Sequence, residues 1–232
     1  MTSLQSDIAI IIPSYNEGNR LLQVVSAVIE KGFNNIVVVD DGSTDNSIDQ
    51  IQKFNVTILK HIVNRGAGAA TETGLKYCRE STNFNTIVMI DADTQHDADD
   101  INKLVDAHHK LNADITIGNR FLENTKDVPF KNWYYNQVAN IVTSLFTGKR
   151  VYDSQSGFKV FNRNALNKLV IEHDRYEHCS EIFIKAHEYK LKVIDVPIRV
   201  YYREEIKDKG QNIFNGIRTF INLFYSALFK NK

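Results

Sequence analysis

Two acidic pairs in this chain stand where apolar, β-branched runs end. The first follows Thr86–Ile90 and reads Asp91-Ala92-Asp93-Thr94-Gln95-His96. In an extended segment, residues two apart project to the same side. Asp91 and Asp93 therefore offer two hard oxygen ligands together, with Gln95 on the same side as a third. Such a set suits Mg²⁺ or Mn²⁺, and a cation held there clamps a diphosphate. Solvated carboxylates capping a helix at Asp97 are the blander reading. The second pair follows Ile36–Val39 and reads Asp40-Asp41-Gly42-Ser43-Thr44-Asp45. Carboxylates at the end of a buried strand are costly unless something binds them, and one placed there can accept the imide N–H of uracil. A helix cap accounts for Ser43, Thr44 or Asp45 but not for Asp40 and Asp41.

Two further segments fit the same picture with less force. Pro13-Ser14-Tyr15-Asn16-Glu17 ends the first apolar run, Ile8–Ile12, where proline is expected to stop the strand. Tyr15 can stack on a base and Glu17 can bond a base edge, while a cap by Asn16 or Ser14 explains the segment equally well. Asn64-Arg65-Gly66-Ala67-Gly68-Ala69-Ala70 opens a helix with small residues. This suits an approaching phosphate or ribose, and equally a tightly packed helix.

The elements that must position these residues alternate. Strands are expected at Ile8–Ile12, Ile36–Val39, Val56–Leu59, Thr86–Ile90 and Ile115–Gly118. Helices are expected at Glu17–Lys31, Thr44–Phe54, Gly66–Cys78 and Asp97–Leu111. This alternation predicts an α/β fold with a mostly parallel sheet between helices, whose ligands bind beyond the carboxyl ends of the strands. The second half is less regular. Asn132–Phe146, Ser180–Tyr189 and Ile213–Phe229 read as helices, and Phe158–Phe161 and Lys192–Val200 as strands. The middle helix has a broad apolar face that includes Trp133, Tyr134, Val138, Ile141 and Leu145.

Composition narrows the class. The chain has 232 residues, with 28 Lys plus Arg against 28 Asp plus Glu, which argues against a nucleic-acid binder. One domain over 1–232 is expected: a nucleotide-sugar half over 1–119, an acceptor half over 120–210 and a C-terminal helix over 211–232. Cys78 and Cys179 form no ligand spacing and read as buried thiols of a reducing compartment. The short apolar run after a polar start is no signal peptide, and no stretch has the length of a membrane span. A cytoplasmic protein at the cytosolic face of a membrane is expected.

Together the segments IPSYNE, VVVDDGSTD, NRGAGAA, IDADTQHDADDI, IGNR, VYDSQSGFKVF and VIDVPIRVYYRE resemble the inverting glycosyltransferases of family 2, with the GT-A fold. The nearest group makes dolichyl-phosphate and polyprenyl-phosphate sugars. The resemblance implies a nucleotide-sugar donor and metal ligands at Asp91, Asp93 and Gln95. It implies donor contacts at Pro13, Tyr15, Glu17, Asp40, Asp41, Gly66, Asp91 and Ala92, and phosphate contacts at Arg120 and Arg203. Mannose-transferring relatives place an arginine and a serine near the start of the middle helix. This chain has Asn132 and Asn136 there with Lys131 adjacent, so Lys131, Asn136 and Ser156 are the implied acceptor contacts. Gly-Ser-Thr-Asp after the Asp pair resembles the UDP-sugar branch, so UDP-glucose or a related donor is favoured over GDP-mannose.

A phosphate acceptor is already ionised near neutral pH and needs positioning, not a strong base. With a sugar hydroxyl on a glycan or protein as acceptor, Asp153 would be the base. Asp-x-Asp-x-Thr also fits a haloacid-dehalogenase-type phosphohydrolase with Asp91 as nucleophile, and a silent nucleotide-sugar binder is a third reading. The stripe Ile213, Ile217, Phe220, Ile221, Phe224 and Leu228 lies in a segment, 199–232, with seven Lys/Arg and three Asp/Glu. It suits peripheral contact with an anionic membrane and equally suits packing on the core.

Overall fold

The computed structural model describes residues 5–122, 128–175 and 177–202. Arg203 and the expected helix Ile213–Phe229 lie outside the described residues. The strands are β1 (Ile8–Ser14), β2 (Ile36–Asp40), β3 (Thr57–Lys60), β4 (Thr86–Met89), β5 (Ile115–Asn119), β6 (Lys159–Asn162) and β7 (Val193–Pro197). They form one sheet in the order β3-β2-β1-β4-β6-β5-β7. All neighbours are parallel except β6, which runs antiparallel to both β4 and β5. The mostly parallel sheet expected from the alternation is what is found.

Period-two projection divides the core into two layers. Ile8, Ile10 and Ile12 of β1 face the layer filled by α1 (Asn19–Glu30) and α3 (Asp100–Lys110). Ala9 and Ile11 face the layer filled by α2 (Ala67–Ser81), α5 (Arg163–Lys168) and α6 (His178–Glu188). Helices on both faces leave the strand ends as the open place for polar loops.

Three expectations are corrected. Pro13 does not end β1, which continues through Ser14, with Pro13 opposite Val39. β4 pairs with β1 only as far as Ile11, so Pro13 lies where β1 has a neighbour on one side only and its missing N–H is tolerated. Thr44–Phe54 is not an α-helix, and only Asp49–Ile51 makes a single 3₁₀ turn. Its polar start is spent elsewhere: the Ser43 amide donates to Asp40 Oδ1 and the Thr44 amide to Asn16 Oδ1. The six-residue α5, too short to show a period, went unforeseen. Asn162 caps it by accepting from the Ala165 amide at 2.8 Å.

The helix α4 (Phe130–Thr147) is inverted relative to an ordinary surface helix. Its buried residues are Asn136, Asn140, Thr143 and Thr147. Phe130, Tyr134, Val138, Ile141 and Leu145 form an exposed apolar stripe, with Phe130 78% and Leu145 76% accessible. The polar stripe is used as a brace. Asn140 donates to the Tyr152 carbonyl at 2.6 Å and accepts from the Ser154 amide and hydroxyl, and Thr143 donates to Ser180 of α6 at 2.9 Å.

A second brace holds residues 172–175 over the head of α2. Glu181, on α6, accepts from the Glu172 and His173 amides, the His173 ring and the Lys185 ammonium. Burial opposes its charge, but these donors hold its carboxyl down to about 2 against an ordinary 4.5. A depressed carboxyl contributes stability that is present above about pH 4.5 and lost as pH falls toward 2. Glu181→Gln should therefore cost roughly 2 kcal/mol at pH 7. Urea denaturation across pH checks this: the gap between wild type and variant should close near pH 2, and a gap independent of pH would contradict it.

Candidate active site

The β1–α1 and β2–β3 loops interlock. The Asn16 amide donates to Ser43 Oγ at 3.0 Å, and the Gly18 amide donates to Asp45 Oδ2 and Ser47 Oγ. Ser43, Thr44 and Asp45 are thus latches between loops and not caps of a following helix. Tyr15 is exposed, and Glu17 pairs with Arg20 at 2.7 Å. Asp40 is fully buried; its Oδ1 accepts from the Ser43 amide, while Oδ2 accepts no hydrogen bond and lies 3.7 Å from the Lys60 ammonium. Asp41 is committed to the 61–66 loop. Its oxygens accept from the Arg65 and Gly66 amides and Asn64 Nδ2, and His61 Nδ1 lies at 2.7 Å. Of the two carboxylates, Asp40 keeps the unbonded acceptor oxygen.

The 66–68 segment owes its small residues to packing. A Cβ on Gly66 would lie 2.4 Å from the Asp174 carbonyl, and one on Gly68 2.0 Å from that of His173. The Ala69 amide donates to the Asp174 carbonyl at 3.0 Å. Ala67 and Thr71, one turn on, reach the cleft.

The antiparallel pairing of β4 with β6 sets Met89 opposite Lys159. The loops that leave those residues, 90–96 and 153–158, therefore meet. Gly157 marks the contact: a Cβ there would fall 1.7 Å from Asp91 Oδ2. Burial opposes charge on Asp91, but the His96 ring, at 3.6 Å, and the positive charges of Lys159 and His178 keep its carboxyl below the usual range. Asp93 goes the other way. Burial and the neighbouring Asp91 charge push it up to about 6. Asp93 Oδ1 accepts from the Gln95 amide. Of the two crowded carboxylates, the positive groups nearby favour charge on Asp91 and leave Asp93 the one that resists ionisation. Ala92, between them, is buried.

Beside Asp91 lies a cavity of ≈ 230 Å³. Asp91, Gln95 and Gly157 form one part of its wall, with Pro13, Ala67 and Thr71 beside them. Arg120 and Gln155 add polar groups, α4 contributes Asn132, Tyr135 and Asn136, and α6 contributes His178 and Cys179. Tyr15, Glu17, Asp40, Asp41, Asp93 and Gly66 are not among its lining residues.

Three expected acceptor-side residues are placed differently. Lys131 is exposed and off the cleft, because the lining positions 132, 135 and 136 share a helix face that excludes 131. Ser156 is buried, with its hydroxyl bonded to the amide and carbonyl of Phe158. Asp153 is fully buried beneath Arg120, accepting from its amide at 3.0 Å and its Nε at 2.8 Å. A carboxylate so paired orients the guanidinium and is badly placed to take a proton from a ligand. His178 and Cys179 went unforeseen as lining residues, and no signal in the sequence pointed to them.

Gly157→Ala tests the loop contact. The clash is with a side-chain carboxylate and not with backbone, so the fold should survive with roughly 1–3 kcal/mol lost, while Asp91 is pushed aside. Mn²⁺ titration should show affinity reduced at least roughly tenfold; wild-type affinity in a well-folded variant would contradict this contact.

Comparison with known proteins agrees with the fold. Residues 9–170 match the model for glycosyl transferase family 2. The chain is 34% identical over 237 residues to a UDP-N-acetylglucosamine–dolichyl-phosphate N-acetylglucosaminyltransferase of Methanococcus voltae, covering 93% of this chain and 94% of that one. It is 29% identical over 227 residues to a dolichol-phosphate mannosyltransferase of Pyrococcus furiosus, covering 91% of this chain and 62% of that one. Among solved structures, glucosyl-3-phosphoglycerate synthase of Mycobacterium tuberculosis, in complex with Mn²⁺ and UDP-glucose, superimposes with a TM-score of 0.73 at 14% identity, over 97% of this chain and 80% of that one. These matches leave no place for the phosphohydrolase reading, and the chain belongs to glycosyl transferase family 2.

Proposed function

We propose that this chain transfers a hexose or N-acetylhexosamine from a UDP-sugar to a dolichyl or polyprenyl phosphate at a membrane surface. The observation that carries the acceptor is the inverted α4. Its inner face lines the cleft beside Asp91 and Arg120, while its outer face exposes Phe130, Tyr134, Ile141 and Leu145. A helix that is polar toward the site and apolar toward solvent suits seating on lipid, with a headgroup delivered to its inner side. No helix of the described residues is long and apolar enough to cross a membrane, so the contact proposed is peripheral. Two named relatives that act on dolichyl or dolichol phosphate support the same acceptor.

The donor reading rests on the Gly-Ser-Thr-Asp loop and on the relative that uses UDP-N-acetylglucosamine. Asp40 Oδ2 accepts no hydrogen bond within the chain but is buried, so a base imide would reach it only if the loop around it gives way. A divalent cation fits the carboxylate pair. Among the described residues no group of three or more His, Cys, Asp or Glu forms a full protein cage. Asp91, Asp93 and Gln95 would hold Mg²⁺ or Mn²⁺ together with ligand oxygens, the usual mode of such ions at diphosphates. Bound there, the ion would stabilise charge on the departing nucleoside diphosphate.

Arg120 supplies a fixed positive charge on the cleft wall. Burial disfavours that charge, but Asp153 outweighs it and keeps the guanidinium protonated. Asn132, Tyr135, Asn136 and Gln155 offer neutral donors and acceptors that position an oxyanion. A phosphate monoester, with its second pKa near ~6, attacks without a base. This agrees with a site whose one candidate base, Asp153, is buried against arginine.

The test is a transfer assay with radiolabelled UDP-N-acetylglucosamine, UDP-glucose and GDP-mannose, each offered polyprenyl phosphate, the matching polyprenol and free sugars. Labelled lipid should form from a UDP-sugar and polyprenyl phosphate alone. Asp93→Asn should lower the rate by about a hundredfold or more. Product on a sugar hydroxyl with none on lipid phosphate would overturn the acceptor, and use of GDP-mannose alone would overturn the donor.

A further inference from the structure

The two cysteines look alike in the sequence, and both are buried, but the fold gives them opposite chemistry. Cys78, on α2, belongs to the apolar layer under the sheet, where burial pushes its thiol up to about 12. Cys179, in the first turn of α6, is on the wall of the cleft with Asp91, Gln95 and Arg120. Its Sγ lies 3.5 Å from His178 Nε2. His178 Nδ1 lies 2.7 Å from the Arg175 carbonyl, which can only accept, so Nδ1 carries a proton and Nε2 is left for the sulfur. Lys159, with its ammonium buried on the Ser156 carbonyl, adds positive potential. Burial opposes charge on both members of the pair, yet the His178 charge holds the Cys179 thiol below its ordinary value and Cys179 holds His178 above its own.

We propose that Cys179 is a modification site: a nucleophilic thiol in the cleft wall that is captured by small disulfides, so that the adduct excludes substrate. The thiolate attacks one sulfur of a low-molecular-weight disulfide. A new S–S bond joins Cys179 to that sulfur, the old S–S bond breaks, and the departing thiolate takes a proton from water. The disulfide is the oxidant, and a thiol reverses the step. The adduct fills a cavity of ≈ 230 Å³ that Asp91 and Arg120 share. Histidine and lysine around a cleft sulfur are the surroundings that activate cysteine, and Cys78 has neither in its apolar layer.

The test treats the folded full-length chain briefly with 2-hydroxyethyl disulfide and reads intact mass, then peptide masses. One adduct is expected, on Cys179, forming at least about tenfold faster than any on Cys78. UDP with Mn²⁺ should slow it, and dithiothreitol should remove it and restore whatever transfer was lost. Cys78→Ser should still take one adduct and Cys179→Ser none. Equal labelling of both cysteines, labelling of Cys78 alone, or no adduct until the chain is denatured would overturn the site. Labelling that UDP with Mn²⁺ does not slow would overturn the claim that the adduct occupies the substrate cleft. Mass is read without a sugar-transfer assay, so failure of the donor or acceptor assignment would leave this result standing.

Discussion

The carboxylate of Asp91 occupies space that a side chain at residue 157 would fill, and the site depends on that absence. β6 inserts antiparallel between β4 and β5 and so brings the loop before it against the loop after β4. With glycine at 157, the backbone comes within contact of the carboxylate. Asp93 and Gln95 are then placed by the turn that follows, and residues 196–201 are tied across it. The Ile198 amide donates to the Asn119 carbonyl, and the Tyr201 amide donates to that of Gln95. One close approach thus joins the donor side, the Asp-x-Asp loop and the acceptor side.

The other buried carboxylates hold loops in place. Asp41 fixes residues 61–66, Asp153 fixes Arg120, and Glu181 fixes 172–175 over α2. Asp41 and Glu181 are surrounded by donors, as burial requires, while Asp153 places both of its bonds on Oδ2. Asp93 differs: burial and the neighbouring Asp91 charge both oppose its ionisation. That contrast separates acids that brace the scaffold from the one acid whose charge the fold leaves uncompensated.

Much of this was legible because buried parallel strands read as apolar runs, and the motifs fall at their ends. Asp91, Gln95 and Pro13, read from the pattern, and Arg120 and Asn136, implied by the family resemblance, all line the cleft. What escaped was long-range geometry. Asp41 and Asp40 read as equivalent, and only the fold gives one to a loop and leaves the other an unbonded oxygen. Thr44–Phe54 has helical spacing, but its first amides bond to side chains across the site. The apolar face of α4 was legible, but not that the opposite, polar stripe is the buried one, because the helix packs on a loop and on α6 through Asn140 and Thr143. Lys131 was chosen for its charge, and its position on the helix circumference decided against it.

The central claim is that the carboxylate pair at the end of β4 makes nucleotide binding depend on a divalent cation. Calorimetric titration of UDP into the wild-type chain, with Mn²⁺ and with chelator, tests it directly. The account predicts clear binding with Mn²⁺ and a loss of about tenfold or more in affinity under chelation. Equal affinity in the two conditions would contradict it.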